Sequence, residues 1–149
     1  MIVSMSKGSL YAISISPERG QLKKEVPEAN FIEYYGIEND GHAGDWGRQV
    51  TCLNLASVQK ANKEHHLNVG PGDFAENILI DGLDFSSLSV GSRIRLGLCA
   101  ILEVTQIGKE DHPSIVSRTF GVSLLPSEGV FCKVIKGSKL KKGDSVEII

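Results

Sequence analysis

Three short polar segments contain the side chains whose types and spacing best suit binding a ligand or transferring a proton. The first runs from Gly36 to Gln49 and holds Asp40, His42, Trp46 and Arg48. Its four glycines allow the backbone to come close to a ligand. Tight turns explain such glycines equally well, and we expect the Trp46 ring to fill a gap in the core rather than to stack on a ligand.

The second segment, Gly70 to Ile78, places Glu76 and Asn77 directly before an apolar run. The amide of Asn77 both donates and accepts hydrogen bonds, which suits the edge of a heterocycle. It would equally well satisfy backbone groups in a turn, and the sequence leaves both interpretations open.

The third segment, Gly108 to Ser114, contains Lys109, Asp111 and His112 and opens a predicted helix. The amides at a helix N-terminus attract anions such as phosphate, and Lys109 would add a positive charge. Alternatively, the carboxylate of Asp111 caps the same helix.

Metal and nucleophile motifs are weak in this chain. It contains neither HExxH nor GxSxG nor a cysteine pair at zinc spacing. A mixed metal site would have to combine His42, Asp111 and His112. The three cysteines all stand in or beside predicted strands, so we expect buried, inert thiols at positions 52, 99 and 132.

Short segments with alternating or β-branched residues, separated by glycines, predict a mainly β chain. The stretch Arg93–Ile107 is interpreted as two antiparallel strands around Gly97, or as one long bent strand. The other predicted strands are Leu10–Ser16, Gln49–Leu55, Val130–Ile135 and Ser145–Ile149. Lysines in the connection between the last two fit a sheet edge that resists pairing with another chain.

Two short helices are predicted. The first is Val58–His66 with Ser57 as its N-cap. The second is Ser114–Phe120, with Pro113 at its first position and Gly121 as its stop.

The length of 149 residues predicts one domain, 1–149. The composition, 41% hydrophobic and 23% charged, is that of an ordinary globular protein. The formal net charge of −2 makes nucleic acid an unlikely partner. No apolar run of about 18 residues and no signal-peptide pattern in residues 1–16 are found. We therefore expect a cytoplasmic protein without a membrane segment.

The ordered set of motifs resembles the MOSC domain, named after the C-terminal part of molybdenum cofactor sulfurase and also found in standalone bacterial proteins. The resemblance extends over nearly the whole chain. The matching pieces are Gly36-Ile37, Asp40 to Gly44, Arg48 to Val50, Gly72 to Ile78, Gly82-Leu83, Val90-Gly91, Glu103 to Glu110, Pro126, Glu128 to Phe131, Lys133-Val134, Gly137 and Gly143-Asp144.

This resemblance implies a distorted β-barrel with a few short helices. It also implies handling of the molybdenum cofactor, a pyranopterin (molybdopterin) that carries a phosphate and holds molybdenum through a dithiolene. Arg48 and Lys109 would then bind the phosphate. Asn77 would bond the pterin or a metal-oxo group, and the loop around His42 would close over the ligand.

One departure from the family pattern matters. Standalone relatives typically have Gly-Lys-Glu-Cys-His, with the cysteine ligating molybdenum or carrying a persulfide, whereas this chain has Asp111 at that position. A carboxylate is a hard oxygen ligand and stores no sulfur, so persulfide transfer from this position is excluded. As a metal ligand, Asp111 would act through oxygen.

The resemblance and the departure together favour a module that binds or delivers the molybdenum cofactor to a molybdoenzyme or a cofactor-biosynthesis protein, without sulfur transfer. A second hypothesis is a transferase with Asp111 and His112 as catalytic residues. A third is a protein-interaction module without a ligand. Pyridoxal phosphate is not expected, because in the eukaryotic sulfurases it belongs to a fused desulfurase domain that these 149 residues do not include.

Overall fold

The computed structural model describes residues 7–149, and part of the stretch searched for a signal peptide, residues 1–6, lies outside this range. The strands are β1 (Lys7–Ile15), β2 (Lys24–Val26), β3 (Glu28–Ile32), β4 (Gly36–Ile37), β5 (Val50–Asn54), β6 (Ile78–Asp81), β7 (Arg93–Leu96), β8 (Ala100–Ile107), β9 (Val130–Lys136), β10 (Ser138–Lys141) and β11 (Ser145–Ile148). The helices are α1 (Leu55–His65), α2 (Ile115–Phe120) and α3 (Leu125–Glu128), with a 3-10 turn at Phe85–Ser87.

Seven of these strands form a closed barrel. Their order is β11-β7-β8-β9-β5-β6-β1, and β1 pairs again with β11 to close the ring. Neighbours are antiparallel except β5 and β6, which run parallel because α1 connects them. The predicted mainly β fold, a distorted barrel with a few short helices, is confirmed.

A small second sheet with the order β10-β3-β4 packs against the barrel. Phe31, Ile37 and Leu140 from this sheet join the core cluster of the barrel. Strand β10 lies in what the sequence suggested was only a connection, and its exposed Lys139 and Lys141 do stand on a sheet edge.

Strand β5 lies between two apolar layers. Val50 and Cys52 belong to the cluster inside the barrel, while Leu53 belongs to a second cluster under the helices. Val58 and Ala61 of α1 are buried in that second cluster. Both faces of β5 are therefore covered, as the sequence predicted for this strand.

The helix starts differ from the predictions. The Asn54 side chain accepts a hydrogen bond from Ala56 N at 3.1 Å and begins α1, so the prediction of Ser57 as N-cap is wrong. A capping box between Ser114 and Ser117 begins α2, which leaves Pro113 before the helix and not at its first position.

Other predictions about the elements are confirmed. Gly121, with φ +77°, ends α2 in the left-handed conformation that glycine adopts without strain. The stretch around Gly97 is a hairpin of β7 and β8, not one bent strand. Among the helices of residues 7–149, none has the length and apolar character needed to cross a bilayer.

Candidate functional site

A cavity of about 330 Å³ opens between the barrel wall and α2. Thr51 and Phe131 form its floor from β5 and β9, and the two loops that contain the first and third polar segments form its sides. The second segment contributes only Ala75. The cavity is within the size range of small-molecule sites.

Four of the six residues predicted to act in the site line this cavity: His42, Arg48, Lys109 and His112. Asn77 and Asp111 are not part of the lining. The first and third segments are far apart in the sequence and are brought together by the fold. One of the contacts that joins them is a hydrogen bond from Arg48 to Gln106, two residues before the third segment and 58 residues away in the chain.

Arg48 is held by a neutral side chain. Its Nε donates to Oε1 of Gln106 at 3.1 Å, and Gln106 Nε2 in turn donates to the carbonyl of Gly108 at 2.8 Å. The guanidinium lies over the Phe131 ring, 5.2 Å from its centroid. Its ion pair with Glu110 is long, at 3.9 Å, and the Glu110 side chain is 81% exposed. The terminal nitrogens of Arg48 therefore remain suited to an incoming anion.

Lys109 follows β8 in a loop whose backbone is held by α3, since Lys109 N donates to Pro126 O at 3.0 Å. Partial burial lowers the pKa of the Lys109 ammonium, and the nearby charge of Arg48 lowers it further against the opposing effect of Glu110 and Asp111. Arg118 of α2 is a third cation in the lining, which includes no acidic residue. The cavity therefore favours an anion.

The loop between β4 and β5 is anchored at both ends by buried polar side chains. Asp40 Oδ1 accepts from Ser16 N at 3.1 Å and from Lys23 Nζ at 2.8 Å. At the other end, Gln49 accepts from Val134 N at 2.9 Å and donates to Gly44 O at 2.8 Å. These anchors determine where His42 and Arg48 stand.

Gly41 allows this loop to approach the segment after β1. A Cβ on Gly41 would lie 2.5 Å from the carbonyl carbon of Glu18, closer than real Cβ atoms come to backbone. Gly41 N also donates to Ser16 O at 2.8 Å. The glycine between Asp40 and His42 is thus required by packing.

Trp46 does not fill a gap in the core, contrary to the expectation from sequence. Its ring lines the cavity, lies parallel to His42 at a centroid distance of 6.1 Å and is covered by the Arg19 guanidinium at 3.9 Å. The indole Nε1 donates to His42 O at 2.7 Å. Trp46 thus braces the histidine from the side of the cavity mouth.

Asn77 serves the backbone. It is completely buried, accepts from Thr51 N at 2.9 Å and donates to Ser14 O at 3.1 Å. The amide oxygen and the amide nitrogen of Asn77 are therefore both hydrogen-bonded to the backbone of neighbouring segments. The interpretation in which it satisfies backbone groups agrees with this geometry, and the predicted contact with a pterin does not.

Asp111 is exposed and caps no helix, because Ser114 is the N-cap of α2. Its neighbour His112 lines the cavity mouth and is exposed. Within residues 7–149 no group of three or more His, Cys, Asp or Glu side chains is arranged to hold a metal ion. The predicted mixed site of His42, Asp111 and His112 is therefore absent from the described residues.

None of the three thiols lines the cavity. Cys52 and Cys132 are fully buried, with their Sγ atoms 4.0 Å apart, and the hydrogen bond between them together with burial raises the pKa of Cys52. Cys99 precedes β8, whereas Lys109 follows it, and a strand of this length separates its ends by roughly 23 Å. No cysteine takes the place of the one missing at position 111.

A second cleft, of about 470 Å³, lies beside the β7–β8 turn and contains Cys99. Its lining has Glu28 and Asp144 together with Lys139 and Lys141. These charges balance, and neither histidine nor arginine faces the cleft. The concentration of positive charge is thus specific to the smaller cavity.

Sequence reasoning missed three residues of the site: Lys23, Gln106 and Arg118. Lys23 is a fully buried lysine in a stretch of polar residues, where nothing local signals burial. Gln106 follows a register irregularity of β8 after Val104, and Arg118 stands on α2, so both require knowledge of the fold. The only local sequence signal at this part of the site was the spacing of Asp40 and His42, which predicts two polar side chains on one tight turn. It does not reveal that Lys23 is their partner.

The fold is that of a known domain class. Residues 39–147 match the MOSC domain family, and the chain belongs to that family. The match includes the loop of His42 and the loop of Lys109. A comparison with curated protein sequences finds no match.

Solved structures resemble the chain over almost its full length. The YuaD protein from Bacillus subtilis has a TM-score of 0.76 at 19% identity, covering 95% of both chains. YiiM from Geobacillus stearothermophilus has a TM-score of 0.74 at 15% identity, over 95% of this chain and 75% of its own. YiiM from Escherichia coli has a TM-score of 0.68 at 21% identity, over 95% and 69%. At these identities the likeness concerns the fold.

Proposed function

We propose that this chain binds the phosphorylated pterin of the molybdenum cofactor, with Arg48 and Lys109 on the phosphate. The observation that carries this proposal is the charge of the cavity: Arg48, Lys109 and Arg118 line it and no carboxylate does. Apolar side chains of α2, α3 and β9 contribute to the wall, which suits a planar ring. Membership of the MOSC family supports the choice of a pterin over other phosphorylated rings.

The residues present suit the phosphate and the ring but not a sulfur-transfer step. Asp111 replaces the cysteine of the family pattern, is not part of the cavity lining and offers only oxygen. We therefore assign no metal ligand and no persulfide chemistry to this chain. Binding followed by delivery to a molybdoenzyme or to a cofactor-biosynthesis protein is the use that we propose for the cavity.

The proposal is tested by titrating the purified protein with molybdenum cofactor released from a molybdoenzyme and following pterin fluorescence. Replacing Arg48 by alanine removes a charged, directed donor, so we expect the affinity to fall about 10- to 100-fold. Arg93→Ala is the matched control, because Arg93 lies on β7 in an exposed ion pair with Glu103.

Saturable binding that is weakened by Arg48→Ala and not by Arg93→Ala supports the phosphate site. Equal binding by both variants would remove Arg48 from the ligand site. Absence of binding by the unaltered protein would reject the proposed function.

A further inference from the structure

Lys23 is a fully buried cation with three polar neighbours. Its Nζ lies 2.8 Å from Asp40 Oδ1, 3.0 Å from Ser16 Oγ and 3.0 Å from His42 Nδ1. The side chains of Lys23 and Asp40 have no exposed surface. Desolvation lowers the pKa of Lys23, while its hydrogen bond to Asp40 and the charge of that carboxylate oppose the shift.

The number of protons on each group determines the direction of the hydrogen bonds around Lys23 Nζ. An ammonium group has three protons and no lone pair, so it meets three acceptors. The Asp40 carboxylate is an acceptor only, and the single hydroxyl proton of Ser16 is already donated to Glu18 O at 2.9 Å. His42 Nδ1 must therefore accept the third proton, and the proton of the neutral imidazole lies on Nε2.

The environment of His42 keeps the ring neutral. Burial is the largest effect and lowers its pKa to about 4, helped by the charges of Lys23, Arg19 and Lys109 and opposed by Asp40. The Trp46 ring lies parallel to the His42 ring, with the centroids 6.1 Å apart. The side chain keeps 22% of its surface exposed, and His42 lines the cavity.

We propose that Lys23 is a positioning residue that holds His42 as a neutral imidazole and leaves its Nε2–H as a hydrogen-bond donor for an oxygen of the ligand. The statement about the ligand rests on the proposed function, whereas the statement about the ring concerns the protein alone. The cavity thus combines charged donors, which attract an anion, with a neutral imidazole donor whose state does not change near neutral pH. The contribution of His42 to binding is consequently the same from pH 5 to pH 8, about the range in which an ordinary histidine titrates.

The test is a pH titration of the ring nitrogens by nitrogen-15 NMR on the unliganded full chain. Four histidines contribute signals, and His42→Gln identifies those of His42. In the unaltered protein we expect an unprotonated Nδ1 and a protonated Nε2 from pH 8 down to pH 5. In Lys23→Met the ring loses its fixed donor and a nearby charge, so its pKa should rise toward the ordinary value of about 6.5.

Lys24→Met is the matched control, because Lys24 is the neighbouring lysine and is exposed on β2. It should leave the His42 signals unchanged. A His42 ring that carries its proton on Nδ1, or that is protonated at both nitrogens at pH 6 in the unaltered protein, would overturn the proposal even if Lys23→Met fails to fold. A Lys23→Met protein that titrates like the unaltered one would overturn it as well. Since no ligand is present, these outcomes are independent of the Arg48 titration.

Discussion

At the scale of single residues, two candidate ligand-binding side chains, Arg48 and His42, each depend on a partner outside the cavity lining. Gln106 orients Arg48, and buried Lys23 orients His42. Such support restricts the rotamers of the binding groups before a ligand arrives, which lowers the entropic cost of binding. The supporting residues therefore belong to the site as much as the donors do.

Asn77 is expected to matter for stability and not for binding. Asn77→Ala leaves Thr51 N and Ser14 O without their buried partner, so the free energy of unfolding should fall by about 2–5 kcal/mol. Urea denaturation measures this loss. Asn68→Ala, at an exposed position after α1, is the control and should change stability little.

The same variant separates the two interpretations of Asn77. Folded Asn77→Ala protein should bind the pterin phosphate as the unaltered protein does. A large loss of affinity together with unchanged stability would return Asn77 to the ligand site.

The sequence was informative about residues that share a turn with a glycine or follow a strand, but it did not indicate the burial of the polar side chain of Lys23. His42, Arg48, Lys109 and His112 do line one cavity. Asp111 was singled out by its position in a family motif, and such a position does not tell which way a side chain points.

At the scale of elements, the predictable strands are those with a simple alternation. β1, β5, β7, β8, β9 and β11 were all anticipated within a few residues. β2, β3, β4 and β10 were missed, because each has no more than five residues and is rich in charged or small side chains. Their pairing depends on partners distant in the chain, such as Phe31 beside Ser138, which local patterns do not reveal.

The helix boundaries show a related limit. Ser57 looked like the cap of α1, but Asn54 at the end of β5 performs that role, so the strand passes into the helix without a loop. Ser57 instead donates to the Glu128 carboxylate at 2.7 Å. Asn54 and Ser57 are both residue types that cap helices well. Which of them begins α1 depends on where β5 ends, and the local sequence does not fix that position.

At the scale of the whole molecule, a buried carboxyl group links stability to pH. Glu76 is 1% exposed and accepts from Gly72 N at 2.8 Å and Phe74 N at 3.2 Å. Burial raises its pKa from 4.5 to about 7, although these backbone hydrogen bonds oppose the shift. Between these two values the folded protein holds a proton that the unfolded chain has lost, so the free energy of unfolding falls as pH rises.

We expect Glu76→Gln, whose side chain does not titrate, to remove this dependence. The stability of the unaltered protein relative to the variant should fall by up to about 3 kcal/mol from pH 4.5 to pH 7. His42, whose pKa is lowered to about 4, has the opposite effect, but it is present in both proteins and cancels in the difference.

Urea denaturation at several pH values measures the difference, and Glu33→Gln, at an exposed glutamate, is the control. Stability curves of Glu76→Gln and the unaltered protein that run parallel from pH 4.5 to pH 7 would contradict the assigned shift.

The central claim is that a phosphate group is recognised in the cavity by Arg48 and Lys109. The most direct test compares the affinities of the unaltered protein for the fluorescent oxidised pterin with its phosphate and for the same pterin after phosphatase treatment. Loss of a charged hydrogen-bonded group should weaken binding by about tenfold or more. Equal affinity for the two pterins would contradict the account, because the positive charge of the cavity would then have no part in recognition.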